Sequence, residues 1–114
     1  MDSRRGMGRR AEDAVAGMLA ARGRVLARNW RPRGGGEVDI VAREGEDLLF
    51  VEVKARRLGR PRTLVTAKQR GRLLRSVDLW LARHPHEGPV LLMMGRVTLD
   101  FHGQVSSIAM VPLA

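Results

Sequence analysis

Hydrophobic positions along the chain follow two periodicities, and the switch between them lays out an α/β order. Ala11, Ala14, Val15, Met18 and Leu19 recur at helical spacing, with Gly23 placed to stop the helix they predict. Arg24–Trp30 reads as a short strand, and Arg31-Pro32-Arg33-Gly34-Gly35-Gly36 continues neither helix nor strand, so a flexible basic loop is expected there. Residues 37–43 and 48–55 are rich in Val, Ile, Leu and Phe, and the charged stretch 44–47 with Gly45 inside it makes them a hairpin. Thr66 and Gln69 fit a capping box, and Leu73, Leu74, Val77, Trp80 and Leu81 form the stripe of a second helix that ends before Pro85. The apolar run 90–94 is expected to be a central strand covered on both faces. A last hairpin follows, with strands 97–101 and 105–110 and His102-Gly103-Gln104 as its turn. A chain of 114 residues supports one core, so a single domain over 1–114 is expected, with 1–7 as a flexible basic arm.

The first hairpin is where the pattern carries chemistry. If Arg43 pairs with Leu48, counting back sets Asp39 opposite Glu52 and Glu37 opposite Lys54. All four then share one face, while Val51 and Val53 point to the other. Two carboxylates opposed at about 4.5–5.5 Å between Cβ atoms repel each other. A divalent cation would relieve that, and Mg2+ (or Mn2+) suits a site of one or two carboxylates that leaves room for water and phosphate. An ion pair between Glu37 and Lys54 on a solvated sheet face explains the same residues without a metal. Lysine supplies only two of the 21 basic residues, Lys54 and Lys68, so a position needing mere positive charge would be expected to carry arginine. An ammonium, unlike a guanidinium, can lose its proton and so can orient or activate water.

The net charge of +9 predicts attraction to polyanions, and nucleic acid, most naturally DNA, is the expected partner. No membrane partner is expected, because no apolar run approaches the roughly 18 residues a span needs. Arg31, Arg33, Arg56, Arg57, Lys68, Arg72 and Arg75 are the candidate phosphate contacts. An arginine-rich coding bias would produce the same charge with no partner at all. The absence of cysteine excludes disulfides, thiolate metal sites and cysteine nucleophiles. Ser3, Arg4 and Arg5 ahead of a short apolar stretch do not make an export signal, since Glu12 and Asp13 intrude, and a cytoplasmic protein is expected. His84, His86 and His102 lack metal-ligand spacing, and Gly34 to Gly36 lack the lysine of a P-loop.

Gly36-Glu37-Val38-Asp39-Ile40 followed by Phe50-Val51-Glu52-Val53-Lys54 resembles the PD-(D/E)xK signature of the restriction-endonuclease-like fold. Together with Gly8, Glu12, Arg28-Asn29-Trp30, Lys68 and the second helix through Leu81, it resembles the small bacterial UPF0102 or YraN-like family, related in fold to archaeal Holliday junction resolvases. The resemblance implies a central mixed sheet with helices packed on it and the site carried by the hairpin. It also implies a metal-dependent DNA endonuclease or DNA-processing protein, with branched DNA as a substrate, and it leaves a homodimer open. In that scheme Asp39, Glu52 and the Val53 carbonyl hold the metal, Lys54 positions the attacking water and Glu12 assists from the first helix. Gln69 resembles a glutamine that some nucleases of this fold aim at the site, although its capping role explains it equally well. The chain departs from the family at Leu92-Met93-Met94-Gly95-Arg96, where an Arg-Phe-Asp sequence is usual, so the resemblance carries as far as Leu81. The rival readings are a nucleic-acid-binding module that cuts nothing and a scaffold with no affinity for DNA.

Overall fold

The computed structural model describes residues 4–113, which form α1 (Arg4–Arg22), β1 (Arg24–Trp30), β2 (Val38–Glu44), β3 (Asp47–Arg57), α2 (Ala67–Arg83), β4 (Val90–Leu99) and β5 (Val105–Pro112). The strands make one mixed sheet in the order β1-β2-β3-β4-β5. Neighbours are antiparallel except β3 and β4, whose parallel pairing requires the crossover that α2 supplies.

Each face of the sheet has one helix. Ala11, Val15, Ala16 and Leu19 of α1 pack on Ile40, Ala42, Leu49, Val51, Val97 and Leu99. Leu73, Val77 and Trp80 of α2 pack on Val38, Val41, Leu48 and Phe50 of the opposite face. Trp80 is the hub there, meeting Trp30 edge-on at 5.1 Å and Phe50 at 6.2 Å. The α2 boundaries follow the sequence signals closely. The Thr66 hydroxyl accepts from the Gln69 N–H at 3.1 Å, the Gln69 side chain accepts from the Thr66 N–H at 3.0 Å, and the chain leaves the helix at His84, before Pro85. Gly45, with φ of 61°, supplies the left-handed turn between β2 and β3, and Arg43 pairs with Leu48 as expected.

Four expectations are corrected. Residues 4–7 are not a loose arm but the start of α1: Met7 extends the stripe Ala11–Val15 by one more turn and packs on the same cluster. Residues 1–3 of that expected arm lie outside the described residues. The runs 90–94 and 97–99 belong to one ten-residue strand, β4, not two strands, and residues 100 and 101 lie beyond it, at the turn. Gly95, which follows the apolar run 90–94, lies inside β4 because α1 crosses there: a Cβ at Gly95 would meet the Val15 methyls at 3.2 and 3.4 Å. The first end of β4 is not covered on both faces either, since Val90 and Leu91 are 37% and 38% exposed. Finally, the loop 31–36 is anchored to α2. The buried Ser76 hydroxyl donates to the Gly36 carbonyl at 2.6 Å, and a Cβ on Gly36 would meet Arg72 at 2.8 Å. The loop is thereby fixed just before β2 begins.

Candidate active site

β2 and β3 stay paired from the turn as far as Ile40 opposite Val51, and there the ladder ends. Continued alternation would put Val38 on the α1 side with Ile40, yet Val38 packs with Val41 on the α2 side. The strand therefore changes course at Asp39. The next N–H of β3, that of Val53, donates at 2.7 Å to Asp39 Oδ2 instead of to a β2 carbonyl. A carboxylate thus fills the seam where the two backbones part. Because N–H and C=O of one strand residue lie on the same edge, the Val53 carbonyl is directed toward this seam as well.

Glu52 and Lys54, two residues apart on β3, share the face on which α2 packs further along. Lys54 Nζ lies 3.6 Å from Glu52 Oε1, with both side chains less than a fifth exposed. Burial drives the Asp39 pKa up, the neighbouring Glu52 charge adds to the rise, and the Val53 N–H opposes it, leaving Asp39 at about 7. Burial likewise raises Glu52, against the pull of the Lys54 ammonium. Glu12 and Glu37 push both groups in the same direction, so four acidic residues share one field.

The expected pairing of Glu37 with Lys54 does not occur. Glu37 precedes β2 and accepts from Arg31 at 3.1 Å, which frees Lys54 for Glu52. Glu12 accepts from the Asn29 side chain at 2.7 Å, and Asp13 from Arg28 at 2.7 Å, so the pair clamps α1 to β1. Asn29 tolerates the left-handed φ of 49° this bend requires. The Gln69 side-chain oxygen is occupied by its capping bond to Thr66. Among the described residues no group of three or more His, Cys, Asp and Glu side chains is gathered closely enough to hold a metal ion. Of the charges that raise Asp39, that of Glu52 acts most strongly.

The basic candidates divide between the faces. Lys68, Arg72 and Arg75 are exposed on α2, and Arg33 is exposed on the loop that Ser76 ties to that helix. Arg56 shares the face of Lys54, whereas Arg57 points to the α1 side, where its Nε lies 3.3 Å from Met7 Sδ. Two residues escaped sequence reasoning. Ser76 anchors the loop ahead of the site, and its only signal was a hydroxyl within an apolar stripe. Arg96 on β4 stands in register beside Lys54, which only the β3–β4 pairing reveals.

Comparison with known proteins bears on residues 11–100, which match the model of the uncharacterised protein family UPF0102. The match runs past Leu81 and includes β4, further than the motifs alone suggested. A UPF0102 protein of Streptomyces griseus is 42% identical over 107 residues, covering 90% of this chain and 85% of the relative. One from Symbiobacterium thermophilum is 46% identical over 89 residues, covering 75% of each. One from Parafrankia is 44% identical over 89 residues, again 75% of each. With a family match over most of its length and relatives at this level of identity, the chain belongs to the UPF0102 family.

Proposed function

We propose that this protein is a metal-dependent DNA endonuclease of the restriction-endonuclease-like fold, with Asp39, Glu52 and Lys54 as its working centre. The observation that carries the reading is the seam at which β2 leaves β3. There two carboxylates with raised pKa values, one backbone carbonyl edge and one lysine converge. Among the described residues Lys54 meets Glu52 alone, so the Asp39 carboxylate is left against the Glu52 charge with no cation of its own, the arrangement expected of a site that awaits a cation. The donor set fits Mg2+ or Mn2+: hard oxygens, two carboxylates at most, and open positions beyond them. Asp39, Glu52 and the Val53 carbonyl would hold the ion. Once bound, it supplies Lewis acidity to the scissile phosphate and a template for in-line attack.

The remaining work belongs to the chain. Lys54, whose Nζ lies 3.6 Å from Glu52 Oε1, would orient the attacking water. The Asn29–Glu12 bond fixes the β1 edge beside the seam and keeps a further negative charge in its field. Arg33, Lys68, Arg72 and Arg75 form the exposed basic surface that would follow the phosphate backbone, with branched DNA as the substrate that the fold relation favours.

A second reading, a DNA-binding module that does not cut, draws support from Lys54 being already neutralised by Glu52 and from the lack of a third close acid among the described residues. The two are separated by incubating the protein with single-stranded, duplex and branched DNA while Mg2+ and Mn2+ are varied. Metal-dependent cleavage of any of them supports the nuclease. Tight, salt-sensitive binding with intact DNA under every metal condition supports the module.

A further inference from the structure

Beyond Lys54 the character of the same sheet face reverses from acidic to basic. Val53 and Ala55 of β3, Val97 and Leu99 of β4, and Ile108 and Met110 of β5 all point toward α1. Lys54, Arg56, Arg96, Thr98 and Ser107 therefore point the other way. They line a small cleft, with Arg62 at its border, that offers about 40 Å³, room for roughly three waters or one small tetrahedral anion.

The cleft is electrostatically unfinished. The β3–β4 register sets Lys54 beside Arg96 and Arg56 beside Thr98, so two cations are neighbours on adjacent strands. Lys54 leans on Glu52 at 3.6 Å, and Arg56 donates to Thr98 Oγ1 at 3.3 Å and to the Arg60 carbonyl at 3.0 Å. Arg96 has no such relief: its Nε is buried and lacks any hydrogen-bond partner among the described residues. Among those residues no carboxylate lines the cleft. A guanidinium N–H withdrawn from water without an acceptor is costly, and an apolar side chain at this strand position would avoid that cost.

The geometry points to a phosphate-binding subsite in this cleft, formed by Arg96, Lys54 and Arg56 with the hydroxyls of Thr98 and Ser107. A tetrahedral oxyanion supplies what the cleft lacks, acceptor oxygens for the Arg96 Nε and a negative charge between Lys54 and Arg96. Its role as the seat of a phosphate neighbouring the one cleaved rests on the nuclease reading. The binding itself does not, because it requires neither metal nor turnover.

The test is calorimetric titration of metal-free protein with inorganic phosphate, at ionic strength held constant with sodium chloride. Saturable binding by the wild type, weakened about 10- to 100-fold by Arg96→Met, is expected for loss of a charged hydrogen-bond donor. Ser107→Glu, on an exposed position of β5, supplies an internal carboxylate and is expected to abolish phosphate binding without disturbing the fold. Two further arms identify the source of the phosphate. A 5′-phosphorylated tetranucleotide losing affinity in Arg96→Met, with its 5′-hydroxyl counterpart unaffected, assigns a terminal phosphate. Equal losses assign a backbone phosphodiester, and loss for inorganic phosphate alone assigns the free ion. Phosphate binding no stronger than that of chloride, or equal in the wild type and both variants, would overturn the subsite, and would do so whether or not the protein cuts DNA.

Discussion

The sheet face that carries α2 divides into two regions built from the same strands. Toward the β2–β3 turn, Leu48 and Phe50 disappear under Leu73, Val77 and Trp80, and the layer is apolar throughout. A few residues further along β3, Glu52, Lys54 and Arg56 occupy equivalent positions outside that apolar layer. On the other face β3 stays apolar as far as Ala55, since Leu49, Val51, Val53 and Ala55 all pack toward α1 and only the terminal Arg57 is charged there. One strand thus passes from core to candidate site by changing alternate residues only. The α1 face is a rigid apolar floor, and the charges on the opposite face inherit its precision of placement.

The contrast can be broken at the covered end first, where the largest effect on stability is expected. Phe50→Ala is expected to lose about 3–5 kcal/mol in urea unfolding, because Phe50 is fully buried beneath Trp80. Glu52→Gln, two residues along the same face, is expected to change stability by less than about 1 kcal/mol. Similar losses from both would erase the distinction between the regions.

Salt dependence sharpens the contrast between faces. If Arg33, Lys68, Arg72 and Arg75 each meet a phosphate, DNA affinity without metal is expected to fall roughly 10²-fold between about 50 and 200 mM salt. Arg72→Gln is expected to reduce the slope of log affinity against log salt by about one. Arg57→Gln, on the α1 face, is expected to leave it unchanged. Equal effects of the two substitutions, measured by fluorescence anisotropy, would mean that DNA does not choose between the faces.

Within the open region, Lys54→Arg separates a charge-balancing lysine from one that handles water. A guanidinium pairs with Glu52 at least as well, so a balancing role predicts unchanged single-turnover cleavage. A water-orienting role predicts a rate reduced on the order of 10²-fold, with DNA binding preserved. The second result is the one expected.

The smallest expected effect is a pH signature of the metal-free protein. The Asp39 carboxyl titrates at about 7 in the folded chain against an ordinary value of 3.8, so between these pH values the folded state holds a proton that the unfolded state has released. Stability is then greatest below that window and falls as pH rises through it, with Glu52 adding in the same sense. Asn keeps an acceptor for the Val53 N–H, so Asp39→Asn is expected to flatten the fall in melting temperature and to be the more stable protein at about pH 8, above the folded-state titration. An unchanged pH profile in that variant would show that the Asp39 carboxyl is not raised in the folded chain.

Much of this arrangement was legible because it is local. Period-two alternation placed Glu52 and Lys54 on one face, the capping box and Pro85 bounded α2, and the turn residues fixed the register of Arg43 with Leu48. What failed depended on contacts distant in sequence. Glu37 was counted into the hairpin because nothing in the alternation shows that the ladder stops at Ile40, where the Asp39 carboxylate replaces a backbone acceptor. Gly95 is a sound breaker in isolation, and only the passage of α1 over β4 makes a small residue necessary there. Arg96 looked like one arginine among many until the parallel pairing set it beside Lys54. The proposed divalent cation and the role of Lys54 were first read from the opposed carboxylates and the scarcity of lysine, the resemblance added the Val53 carbonyl and Glu12, and the seam came from the fold.

The most direct test of the proposed centre is single-turnover cleavage of branched DNA by wild type and Glu52→Gln at saturating Mn2+. Circular dichroism and DNA binding serve to verify that both are folded and loaded. Metal-dependent cutting by the wild type is predicted, with a rate at least about 10³-fold lower for the variant, because one of the two carboxylates that would hold the ion is gone. Equal rates for the two proteins, or a folded, DNA-bound wild type that cuts nothing at any metal concentration, would contradict it.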